Sequence, residues 1–165
     1  MPEPKRSITV TLPSDREVVI TRVFDAPRDL VFKAFTDPKL VPHWWGPRKY
    51  KTTVDKMDVR PGGAWRFVHR DEEGNEHGFR GVYREITPPE RLVYTFEWEG
   101  LPGHVLVETI TLEERDGKTT VTDHAQFDTV EDRDGMLKSG MESGAAESMD
   151  RLEELLATQT SAVRS

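Results

Sequence analysis

The stretch TTVTDHAQF (119–127) puts a carboxylate in phase with apolar residues. Val121, Asp123, Ala125 and Phe127 share one side of a strand, so Asp123 stands where a core is expected. A buried, unpaired carboxylate is costly and needs a donor or a raised pKa. Arg22, His69 and Tyr83 are candidate partners; the alternative is a strand-end Asp turned to solvent. Glu108, in phase between Leu106 and Ile110, poses the same question. Acid–base work inside an enclosed site is the chemistry these groups would support, with Asp123, His69 or Tyr83 moving the proton.

Other reactive constellations are missing from the sequence. The five histidines (43, 69, 77, 104 and 124) have no metal-ligand spacing. Ser139, Ser143 and Ser148 fall on a helical segment with no nucleophile elbow. RPGG (60–63) is a hairpin turn rather than a phosphate loop, and no cofactor is implied. The chain has no cysteine, which excludes disulfides and thiolate chemistry and suits a cytoplasmic setting. Thirty acidic residues against 23 basic ones give a net charge of -7. No basic stripe for nucleic acid is present, and anionic lipid would be repelled. No apolar run is long enough to span a membrane.

The elements that must position these groups follow from periodicity. A single domain over 16–158 is expected, with an extension (1–15) that includes a possible strand at 7–13 and a tail at 159–165. REVVITRVF (16–24) reads as a strand. DAPRDLVFKAFTDP (25–38) reads as a helix with Asp25 as N-cap and Pro27 in its first turn, and a second short helix runs on to residue 45. From residue 50 the period changes to two. Segments 50–59, 64–70, 77–86, 91–98, 104–115 and 118–127, joined by turn-rich links, predict an antiparallel meander. Residues 129–158 read as one helix, about 40 Å long from 131 to 157. Its stripe is Leu137, Met141, Ala145, Ser148, Leu152 and Leu155. Gly140 and Gly144 on that helix mark either tight packing on the sheet or space cleared for a ligand. The class is α+β.

Aromatic residues gather on the inward faces. Trp65, Phe67 and His69 share one face, as do Phe79, Gly81 and Tyr83, and Leu92, Tyr94, Phe96 and Trp98 a third. They either fill a core or line a cavity, and Gly81 leaves a spot open to close approach. LVPHWWGP (40–47) adds Trp44 and Trp45 at a breaker-rich corner.

FDAPRDLVFKAFTDP leading into HWWGP, then MDVRPGGAWRFV, GVYREITPPERLVYTF and SGMESGAAESMDRLEELL, carry a resemblance over residues 16–157. The chain resembles bacterial proteins similar to the C-terminal domain of the heat-shock-protein-90 ATPase activator, in the START-like SRPBCC superfamily. The resemblance implies a helix-grip fold, a curved antiparallel sheet wrapped around a long C-terminal helix with a cavity between them. Met141, Gly144, Ala145 and Ser148 of the helix would then face the aromatic set across that cavity. Of the tryptophan pair, one residue would plug the core and the other flank the entrance; alternatively both are anchors.

The resulting expectation is a small cytoplasmic domain holding an apolar or aromatic small molecule. An enzyme of the cyclase or hydrolase kind in the same cavity is the first alternative, and a chaperone-linked interaction module the second. Chaperone activation itself is not expected, since only about 15 residues precede the shared domain. An edge strand at 8–12 or 50–59 offers a route to a homodimer.

Overall fold

Alternating residues from Lys51 to Gln126 build six consecutive antiparallel strands. A computed structural model describes residues 8–164, so residues 1–7 of the expected extension and Ser165 lie outside the described residues. The elements are β1 (Thr9–Thr11), β2 (Glu17–Phe24), α1 (Arg28–Thr36), a 3₁₀ turn (Val41–His43), β3 (Lys51–Met57), β4 (Ala64–Arg70), β5 (Glu76–Thr87), β6 (Arg91–Trp98), β7 (Val105–Arg115), β8 (Lys118–Gln126), α2 (Val130–Lys138) and α3 (Met141–Arg164). One eight-stranded sheet has the order β1-β2-β8-β7-β6-β5-β4-β3. The meander is therefore real from β3 to β8, and β2 returns to pair with β8. The two segments expected at edges do stand there, as β1 and β3.

Register shifts at Val54/Lys56 and at Tyr83/Glu85 bend the sheet. On its inner face, Phe24, Leu92, Ile110, Leu112 and Val121 join Leu152 and Leu156 of α3 in the main core. A second cluster of Val18, Ile20, Leu106, Ala125 and Phe127 meets Met136, Leu137, Met141 and Ala145. Arg22 fastens α3 to the sheet through Asp150 at 2.6 Å and Glu153 at 2.5 Å.

Three expectations about helices need correction. The segment 129–158 is two helices, because Gly140 adopts φ +86° and ends the run before α3 begins. Gly140 is a break, and Gly144 lies beside the loop at Pro47, where an added Cβ would come 3.4 Å from Pro47 Cγ. The expected tail at 159–165 is helical as far as Arg164. Finally, α1 starts at Arg28 with Pro27 in the cap position. Its first amide donates to Glu114 Oε1 at 2.8 Å, so a carboxylate from the end of β7 does what Asp25 was expected to do.

Among the described residues no helix is long and apolar enough to cross a membrane.

Candidate functional site

The tryptophan pair closes one end of the grip. Trp44 is buried, donates from Nε1 to the Ala34 carbonyl at 2.8 Å, and meets Phe35 edge-on at 4.8 Å. Trp45 turns the other way, onto the sheet. Its indole lies 5.0 Å from Phe67, 4.8 Å from His69 and 5.3 Å from Phe79. Aromatic contacts at such distances add to area burial and lock the layer. Ser148 and Arg151 of α3 strap this loop down. Ser148 Oγ donates to the Trp44 carbonyl and accepts the Gly46 amide, and Arg151 donates to the Gly46 carbonyl at 2.7 Å.

Little space remains there. The hollow among Phe35, Val41, Trp44, Trp45, Trp65, Phe67, Tyr83, Leu92 and Tyr94 measures about 30 Å³, room for about one water. The open spot expected at Gly81 is filled by the chain itself. A Cβ at Gly81 would stand 1.8 Å from the Thr95 carbonyl oxygen and 2.5 Å from Trp65 Nε1. His69 is sandwiched between Trp45 and Tyr50, with ring centroids 4.8 and 4.9 Å away, and its Nε2 is buried without a partner. Burial pushes the imidazole down to about 4, so it is neutral at physiological pH.

A larger opening lies next to this hollow, beyond Phe96, whose ring meets Trp45 and Trp65 at 6.5 and 6.0 Å. A groove of about 250 Å³ is floored by Phe96, Leu106 and Phe127 and walled by Trp98, Leu101, Val105 and Met136. Trp98, Leu101 and Val105 are 41, 50 and 39% exposed, an unusual outlay of apolar surface at one place. Helix α2 forms the far wall. Thr129 caps it by accepting the Asp132 amide at 3.0 Å, and His104 Nδ1 meets Asp132 Oδ1 at 2.7 Å across the rim. Glu131, Gly135 and Ser139 complete the lining. Phe96 and Trp98 were expected at a cavity; Leu101, Val105, Leu106, Phe127 and Met136 were not. The available signal was Leu101, an apolar residue inside the turn EGLPG. Met141 and Ala145 pack on the cluster that contains the floor residues Leu106 and Phe127.

Asp123 does face inward, but its partner is not one of those expected. Arg22 is engaged by α3, and His69 stands four strands away, roughly 19 Å along the sheet at about 4.8 Å per strand. Tyr83 is three strands away. Asp123 instead lies diagonally beside Glu108, whose cross-strand partner on β6 is Tyr94. Burial raises both carboxyls above their ordinary values, and the charge of Glu108 raises Asp123 further. Burial and the same two acids raise the Tyr94 phenol, which stays protonated. Asp123, His69 and Tyr83 therefore form no constellation. Among the described residues no three metal-ligating side chains converge.

Residues 25–157 match the family described as Activator of Hsp90 ATPase homolog 1-like protein, and the chain belongs to that family, within the SRPBCC superfamily. A protein of Rhodobacter sphaeroides is similar over 92% of this chain and 99% of its own, at 26% identity and a TM-score of 0.86. One of Chromobacterium violaceum is 27% identical over 85% of this chain and 96% of its own, with a TM-score of 0.75. The AHSA1 protein of Silicibacter pomeroyi shares the fold at 22% identity, 87% and 99% coverage and a TM-score of 0.72. No curated protein matches the chain.

Proposed function

We propose that the protein is a binding domain that holds a small apolar or aromatic molecule in the groove between the sheet and its C-terminal helices. The observation that carries this reading is the 250 Å³ groove, floored by Phe96, Leu106 and Phe127 and rimmed by exposed Trp98, Leu101 and Val105. A cavity of about 150 Å³ is enough for benzene, so one ring with a short substituent fits. Burying roughly 300 Å² of apolar surface at about 25 cal/mol per Å² gives about 7 kcal/mol before association costs. That supports dissociation constants from about micromolar to millimolar.

The exposed apolar residues surround a concavity rather than a flat patch, which favours a small ligand over a protein partner. Turnover would need two titratable groups meeting at the open groove. The acid pair lies a row deeper, His69 is separated from the floor by Phe79, and the His104–Asp132 pair is bonded to itself on the exposed rim, so binding is favoured over catalysis.

Native mass spectrometry of gently purified protein, set against its denatured mass, tests the proposal. A bound small molecule that is lost in Val105→Arg, where a charged chain enters the groove, supports it. An identical ligand load in wild type and Val105→Arg, or none in either, refutes it.

A further inference from the structure

The groove floor has a polar neighbour that apolar binding alone does not require. Phe96 pairs with Leu106, and the next pair inward is Tyr94 with Glu108. Glu108 faces Ala125 on β8, while Asp123 faces Ile110 on β7. Glu108 and Asp123 are thus diagonal neighbours on one face, within reach of each other. Leu106 and Glu108 are two residues apart on one strand, so the acid pair begins roughly 7 Å beyond the floor.

The pair is incomplete as it stands. Asp123 Oδ1 is buried and has no hydrogen-bond donor. Arg22, the cation on the neighbouring strand, donates to Asp150 and Glu153 on α3. Tyr94 stands opposite Glu108 as its cross-strand pair. Tyr94 lines the 30 Å³ hollow, and Glu108 is half-buried rather than sealed in the core. Two adjacent carboxyls in apolar surroundings are unfavourable unless they share a proton or receive a cation. Burial raises both, so the pair holds its protons more tightly than solvated carboxyls do.

We infer that the groove takes an apolar amine: an aromatic or aliphatic body lies on Phe96, Leu106 and Phe127, and an ammonium on a linker of about two or three atoms donates to the Glu108–Asp123 pair. The inference rests on the groove being a binding site. It adds the chemical class of the ligand, because a charge-assisted contact to a desolvated acid pair discriminates strongly against a neutral analogue.

Equilibrium dialysis at pH 7.5 with 2-phenylethylamine and its hydrocarbon isostere propylbenzene tests this. The amine is expected to bind wild type at least about tenfold more tightly than propylbenzene. In the double variant Glu108→Gln, Asp123→Asn, the two probes are expected within about twofold of each other. Near-UV circular dichroism establishes that the variant is folded, and the wild-type comparison stands without it. Propylbenzene binding as well as the amine to wild type overturns the inference and leaves the groove as a binding site. Failure of both probes to bind overturns the inference and the binding reading together.

Discussion

Ser148 Oγ donates to the carbonyl of Trp44 at 3.0 Å, across 104 residues of sequence. The same hydroxyl accepts the Gly46 amide at 3.1 Å, so one small side chain on α3 holds the loop that seats both tryptophans. Ser148→Ala leaves the Trp44 carbonyl in a buried setting without this donor. A loss of about 1–3 kcal/mol in urea unfolding is expected, with groove binding retained. A change below about 0.5 kcal/mol would mean the strap is dispensable.

Gly46 adopts φ +90°, and a Cβ there would stand 2.3 Å from His69 Nε2. Gly62 adopts φ +87° with nothing nearby. Gly46→Ala therefore combines backbone strain with a clash against a buried ring and should lose about 2–4 kcal/mol. Gly62→Ala carries the strain alone, about 1–2 kcal/mol. Equal losses at the two sites would contradict the packing described at His69.

Acid sensitivity follows from His69, whose folded value of about 4 lies below its ordinary 6.5. Between those values the unfolded chain binds the extra proton, so stability is intact above pH 6.5 and falls as pH drops toward 4. The full effect is up to about 3 kcal/mol. Stability measured from pH 4 to 8 for wild type and His69→Phe should give a difference that moves against wild type as pH falls. A difference independent of pH would contradict the burial of His69.

The acid pair acts with the opposite sign. Its folded values are raised above the ordinary 4.5 and 3.8 of Glu108 and Asp123, so the native state holds protons longer and stability declines as pH rises from about 4. Glu108→Gln with Asp123→Asn should therefore be more stable than wild type at pH 8, by about 1–3 kcal/mol, and the gain should shrink toward pH 4. Denaturant midpoints at the two pH values measure it. Destabilisation at pH 8 would mean that the carboxylates are better satisfied than the geometry indicates.

Much of the fold was legible because two-residue periodicity survives burial: Trp65, Phe67 and His69 are inward and buried as their alternation requires. The helix break was missed because Gly140 was weighed as a cost inside a helix rather than as a left-handed stop. The start of α1 was misplaced because Glu114, 86 residues away, caps it, and no local pattern carries that. The Glu108–Asp123 partnership was within reach. Asp116 and Gly117, both at positive φ, make a two-residue turn pairing Arg115 with Lys118. Counting back along the ladder sets Glu108 beside Asp123. The groove was harder, since Leu101 and Val105 become its wall only once the split helix lays α2 alongside them.

The most direct test of the central claim is a two-dimensional NMR titration with toluene, following indole N–H and methyl resonances. Binding in the groove should shift the Trp98 indole and the methyls of Leu101, Val105 and Met136, leaving the Trp44 indole in place. Shifts centred on Trp44, or no saturable shift at all, would contradict it.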